Sequence, residues 1–528
     1  MREDEEAVLA AVEAELGRTL QDGRPSGAAA IRRSASIPVS GISKLLGRIV
    51  AVGLMSVVVF TALAHGAVEP WSAALFQLIV IALILAWGVK VVVDKRLRVK
   101  LPPAAAPLAA LAAVGLAQSI SLTGAVGRAS LSMDVEATRQ TTTMIVIMLA
   151  CVLLAANFLG SHKRTRLMTH FLVIFGFSMA LFGIVQSLTW NGRFFWLRYT
   201  SSATSPFGPF VNHNNFAGYL EMLIPIPLGL IITRAIRMEV RLFYGFAAAL
   251  MGVGVLASMS RGGMISLAAG LVFFAVLAPV ARRVDDDPEE FEYSPNTKHS
   301  GYGSEFRSRR LSGVRVGLIV ICIVAAIGAG VTWMGSDKVS GPTAGPASAG
   351  SAAAGSGQES FYTSRGWIWA DTLSMIAAKP ISGVGLGAFA TAYPMYSTSN
   401  GNLGVDRAHN DYLQILAECG ILGGALALWF IISMGRAVLR GIASRDRLLA
   451  GFALGGGAGG FALLIHSIFD FNLQVPSNAL LFLLISGQIS LIGAGLIRHE
   501  RHRIRRASEI EYRDEPGSDG LILQEQLQ

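Results

Sequence analysis

The chain has 528 residues, 52% hydrophobic and only 15% charged, with a mean hydropathy of +0.52 and a formal net charge of +9. Soluble proteins carry about 25% charged residues, so these values argue against a soluble multidomain enzyme, a disordered chain and a nucleic-acid binder. They describe a polytopic membrane protein, in which the position of positive charge matters more than its total.

Residues 1–44 read as a cytoplasmic mobile tail. Its first 22 residues are acidic and helix-prone, the stretch to about 40 is rich in Gly, Ser and Arg, and no cleavable signal peptide is expected. Twelve apolar segments near the length of about 20 residues that a spanning helix needs follow at 45–65, 71–93, 103–123, 140–159, 168–188, 216–233, 241–259, 262–281, 313–335, 412–433, 448–468 and 478–497. The segment at 103–123 is rich in Ala and carries the faintest signal. The fold class is therefore an all-α membrane protein of about 12 transmembrane helices. Spans 1–9 occupy 45–335 with a cytoplasmic loop at 284–312, a large periplasmic loop fills 336–411, spans 10–12 occupy 412–497, and 498–528 is a cytoplasmic tail. Placing the N-terminus inside puts 35 of the 44 Lys and Arg in cytoplasmic segments and 9 outside, the asymmetry of the positive-inside rule.

Cys151, Cys322 and Cys419 lie in apolar runs without a CxxC pair or metal-ligand spacing. They read as small packing residues. No metal or cofactor is expected.

The periplasmic loop opens with a Gly/Ala/Ser/Pro tether at 341–357. An amphipathic helix candidate follows, ended by Lys379-Pro380 and a Gly-rich turn. Trp367, Trp369, Leu373 and Ile376 are expected to share its apolar face. The run GVGLGAF at 383–389 lacks a preceding strand and is a weak nucleotide-binding signal.

Polar residues gather toward the outer face. PFGPFVNHNNFAGY at 206–219 holds His213 and Asn214, and SMSRGG at 258–263 sets Arg261 at a tight turn between two spans. Arg365 begins the loop helix, His409, Asn410 and Asp411 stand at the mouth of span ten, and His466 and Asp470 lie near the outer end of span eleven. Each has a plain structural reading: Arg as a snorkelling anchor, Asn410 or Asp411 as a helix cap, His466 as a hydrogen-bonded helix contact. Together they make chemical sense. Two guanidinium forks suit phosphate oxygens, and an imidazole is a base near neutral pH. Outside the membrane there is no ATP, so bond formation there needs an activated donor, and a lipid-linked pyrophosphate fits that need. A transporter, the contrasting reading, should carry ionisable residues at mid-membrane, yet 143–156, 246–257 and 317–330 carry none.

These motifs resemble the O-antigen ligase and polymerase superfamily over about 200–497. They comprise SMSRGG, TSRGWIWADTLSMIAAKPISGVGLGAF at 363–389, AHNDYLQILAECGILGG at 408–424 and HSIFDFNLQVPSN at 466–478. The resemblance implies a multi-pass protein of the bacterial inner membrane whose periplasmic face takes glycans from undecaprenyl pyrophosphate. The acceptor it implies is lipid A-core for a ligase, or another polysaccharide unit for a polymerase. Membrane lipids are the remaining partners, and no nucleic acid is expected. By motif, the catalytic roles fall on Arg261, Arg365 and His409, with Asn410, Asp411, His213, Asn214, His466 and Asp470 as candidate substrate-binding residues. The insert at 341–357 matches no part of the pattern.

Overall fold

The computed structural model describes residues 41–97, 99–124, 127–199, 206–282, 361–398 and 404–497. The expected span at 313–335, the loop 284–312, the tether 341–357, residues 1–40 of the N-terminal tail and the C-terminal tail lie outside the described residues, while 41–44 of the expected tail already belong to the first helix. In chain order the elements begin with helices α1 (Gly41–Leu63), α2 (Pro70–Asp94) and α3 (Ala105–Gln118), followed by a hairpin of β1 (Ser121–Gly124) and β2 (Gly127–Ser130). Next come α4 (Val135–Phe158), α5 (His162–Leu188) and a second hairpin of β3 (Arg193–Phe194) and β4 (Arg198–Tyr199). The bundle continues with α6 (His213–Leu223), α7 (Pro225–Ile232), α8 (Met238–Ala257) and α9 (Arg261–Arg282). Then follow α10 (Phe361–Ala378), α11 (Phe389–Ala392), α12 (Asp411–Ile442), α13 (Arg447–His466) and α14 (Pro476–Gly493). Both hairpins are antiparallel, pairing Ser121 with Ser130 and Arg193 with Tyr199.

Among the described residues, ten helical stretches are long and apolar enough to cross a membrane, counting α6 and α7 as one. The chain is an all-α, multi-pass membrane protein. Three elements differ from the expectation. The Ala-rich segment expected to span at 103–123 is a helix of 14 residues, about 21 Å long against a hydrocarbon core of about 30 Å. It stops at Ser119, whose hydroxyl donates to the Gly115 carbonyl, and the chain turns into the first hairpin. The sixth span is broken at Pro225, because proline offers no N–H to the preceding turn. The tenth runs 32 residues, about 48 Å, and kinks at Gly420 (φ +60°), so its first turns form part of the site.

Helix α13 is the axis of the bundle and is buried along nearly its whole length. A β-carbon on Gly455 or Gly459 would strike the carbonyl oxygen of Pro225 or Met222. Glycine at this spacing lets α13 touch the backbone of α6 and α7, the close approach on which packing in lipid depends.

The two ends of the bundle differ. At one end His162 pairs with Asp446 at 2.8 Å, joining the α4–α5 turn to the α12–α13 turn. Lys100 donates to the Gly160 carbonyl at the same end. The other end collects the N-termini of α6, α9, α12 and α14 with the C-terminus of α13. All the candidate site residues lie there.

Candidate active site

The site is organised by the strap between α13 and α14, residues 467–475. Asp470 in this strap is buried. Its Oδ1 lies 3.5 Å from His409 Nδ1, and its Oδ2 accepts a hydrogen bond from Asn214 Nδ2 at 2.6 Å. The Phe471 backbone N–H donates to the same carboxylate at 2.9 Å. Burial pushes the Asp470 carboxyl up, but the His409 contact and the Arg365 charge outweigh it and hold the group well below the usual carboxylate range. Asp470 is therefore an anion at neutral pH, fit to orient an imidazole through Nδ1.

Arg261 is held by its neighbours. Ser260 Oγ, one residue before it, donates to Asn214 Oδ1 at 2.7 Å and accepts from the Gly263 N–H at 3.1 Å, capping α9. On the other side, a β-carbon added at Gly262 would lie 2.9 Å from His466 Nε2. Only glycine allows the turn to settle on that ring. Asn214 thus ties the Arg261 turn to Asp470. His213, half-buried, is the first residue of α6, and Asn212 caps that helix by accepting from the Asn214 N–H.

Arg365 faces inward from α10, is buried, and its Nη1 donates to the Phe469 carbonyl at 2.7 Å. The loop helix is thereby bolted to the strap next to Asp470. On the same helix, Trp369 Nε1 donates to the Ala408 carbonyl at 3.0 Å. Asp371 accepts from the Tyr393 hydroxyl and from Thr398. Burial and then the Asp371 bond push Tyr393 up to about 12, so the phenol remains a donor. The four apolar residues expected to share one face are split. Trp367 and Leu373 are exposed, whereas Trp369 and Ile376 turn inward against the loop core. The inward face is set by Arg365, Asp371 and Thr372, polar groups with partners inside.

The Gly-rich run 383–389 wraps the kink of α12. Gly383, Gly385 and Gly387 all have positive φ, and the N–H groups of Val384 and Gly385 donate to the carbonyls of Ala417 and Glu418. The buried Glu418 accepts from Gln414 Nε2 at 2.7 Å, and Gln414 Oε1 accepts from the Ala408 N–H at 2.8 Å. This scaffold holds His409 in a left-handed conformation, φ +50°, which few side chains adopt without support.

Asn410 and Asp411, candidate substrate-binding residues, have hydrogen-bond partners within the protein. Asn410 Oδ1 accepts from the N–H groups of Tyr412 and Leu413 as the cap of α12. Asp411 accepts from the Leu473 N–H and from Gln474 Nε2. His466 also has a carboxylate, but not Asp470. Its Nδ1 lies 3.1 Å from Oε1 of Glu221, a residue that sequence reasoning missed. Ser266 Oγ donates to the same carboxylate at 2.6 Å, so α6, α9 and α13 are pinned together beneath Arg261. The available signal for Glu221 was a single acid inside an apolar run, a costly placement without a partner. Among the described residues, no group of three His, Cys, Asp or Glu side chains could hold a metal ion.

Residues 246–430 match the family model described as O-antigen ligase. Over that stretch the chain is similar to the O-antigen ligase family. The matched stretch contains Arg261, Arg365 and His409 and omits Asn214, Glu221, His466 and Asp470. No curated protein matches the chain. Members of that family are glycan-processing enzymes, and the match supports an O-antigen ligase- or polymerase-like function.

Proposed function

We propose that this chain is an O-antigen ligase-like glycosyltransferase of the bacterial inner membrane, moving a glycan from undecaprenyl pyrophosphate to an acceptor hydroxyl at the periplasmic face. The observation that carries the reading is the meeting of the Arg261 turn, Arg365 and the His409–Asp470 pair on one strap, at one end of the bundle. In the transfer, the acceptor oxygen bonds to the anomeric carbon as the bond from that carbon to the pyrophosphate oxygen breaks. The hydroxyl proton passes to His409 Nε2, because Asp470 takes up the Nδ1 side. Undecaprenyl pyrophosphate leaves with the bonding electrons, and the guanidinium groups of Arg261 and Arg365 stabilise its charge. The proton is then released to water. None of these steps calls on a metal. The periplasmic placement is supported by the Lys and Arg split, because the basic loops and the site belong to opposite ends of the helices.

The test is deletion of the gene followed by electrophoresis of the surface polysaccharides. Loss of long chains from lipid A-core supports the ligase reading. Single repeats left on core support a polymerase of the same superfamily. An unchanged glycan profile overturns the transferase reading. Reporter fusions at Gly350 and after Arg506 test the topology, with periplasmic activity expected at the first and cytoplasmic activity at the second.

A further inference from the structure

The strap that holds Asp470 also seats an arginine outside the roles assigned so far. The Arg407 guanidinium carbon lies 4.8 Å from the centre of the Phe471 ring. His409 meets the same ring edge-on with centroids 4.9 Å apart. Arg407 Nη1 donates to Gln474 Oε1 at 3.1 Å. That oxygen faces the arginine because the amide nitrogen of Gln474 is committed to Asp411 at 3.1 Å. The guanidinium is thus oriented by an aromatic face and a neutral amide, and neither cancels its charge. Among the described residues, the carboxylate that comes nearest is Asp406, at 3.6 Å and 75% exposed, where an ion pair contributes little. Arg407 itself is 29% exposed.

Along six residues of chain, the strap therefore fixes three cationic or titratable groups. The Phe469 carbonyl holds Arg365, Asp470 holds His409, and Phe471 with Gln474 holds Arg407. We infer that Arg407 is a further anion-binding residue of this site, presenting its remaining N–H donors to a diphosphate beside His409. The inference rests on the transferase reading for its biological ligand, but the chemistry is that of a diphosphate from either a lipid carrier or solution. A pre-oriented fork loses little freedom when it binds oxygen pairs, and each charge-assisted bond outlasts a neutral one.

The experiment is titration of the purified full-length protein in detergent with inorganic pyrophosphate and, separately, with undecaprenyl pyrophosphate in the same micelles. Arg407→Gln should weaken both about tenfold, the loss of one charged hydrogen bond. Arg407→Lys should weaken both by a smaller factor, because charge is kept while the fork and the ring stacking are lost. Weakening confined to the lipid probe assigns the anion to the carrier; weakening confined to the inorganic probe assigns it to free phosphate. Binding of both probes by Arg407→Gln within twofold of wild type overturns the inference. So does a lowered melting temperature with unchanged affinity per folded molecule, which is the signature of a packing role. The transferase reading stands or falls separately, on the Arg261, Arg365 and His409 variants assayed for glycan transfer.

Discussion

Among the described residues, two histidine–carboxylate pairs meet at the site end of the bundle, and they are built for different work. His409 and Asp470 stand at the mouth, where the imidazole is 20% exposed and its backbone is held at a positive φ. His466 and Glu221 form the floor, with both side chains at 1% exposure or less. In both pairs the carboxylate takes Nδ1. The difference lies on the far side of the ring. Nε2 of His466 lies against Gly262, where an added β-carbon would come within 2.9 Å, and has no hydrogen-bond partner among the described residues, whereas the His409 ring is a fifth exposed and shares the Phe471 ring with Arg407. An imidazole closed off by backbone cannot take a proton from a substrate. Under the proposed function, the same chemical pair acts as a base where it is exposed and as a spacer for the Arg261 turn where it is buried.

The largest expected effect separates the two pairs directly. His409→Ala should lower glycan transfer by about 10²–10⁴-fold, the usual contribution of a general base, in membranes with equal protein levels. His466→Ala should leave most of the rate per folded molecule. Full activity in His409→Ala with none in His466→Ala would exchange the two roles, and activity in both would remove acid–base catalysis from the mechanism.

The arginines sharpen the contrast from the side of the leaving group. Arg261→Lys and Arg365→Lys should each lose about tenfold or more in transfer, because a planar fork and not charge alone meets the diphosphate. Wild-type rates in either variant reduce that residue to an anchor.

The floor predicts a packing effect. Gly262→Ala places a β-carbon against His466, and overpacking of this kind costs about 1–3 kcal/mol. Thermal unfolding in detergent should register the loss, and Gly262→Ala combined with His466→Ala should recover much of it. No recovery in the double variant would show that the contact is not what fixes the turn.

The smallest effect concerns pH. Asp470 is held below its ordinary carboxylate value, so its contribution to stability is fully present above the unfolded value of about 3.9 and is lost only as pH falls below it. Asp470→Asn should lower the melting temperature by a constant amount between pH 5 and 8, to be read in scans at several pH values. A gap that narrows as pH falls from 8 to 5 would mean that Asp470 titrates in that window.

Much of this architecture was legible in the sequence because lipid imposes a strong rule: apolar runs of the right length must become helices, and their basic flanks choose a side. The motifs SMSRGG and AHNDY also named Arg261 and His409, since turn and cap residues act locally. Other features needed the tertiary structure. The third segment was apolar enough to suggest a span, but it ends early at Ser119 to make way for a hairpin. The glycines of 383–389 read as a turn after the loop helix and a weak nucleotide-binding signal, whereas the structure wraps them around the kinked start of α12. Above all, which carboxylate serves which histidine was undecidable: Asp470 lies four residues from His466 yet pairs with His409, and Glu221 reaches His466 across 245 residues. Helical periodicity fixes which residues share a face of one helix, but only the packing of α6, α9 and α13 decides what that face meets.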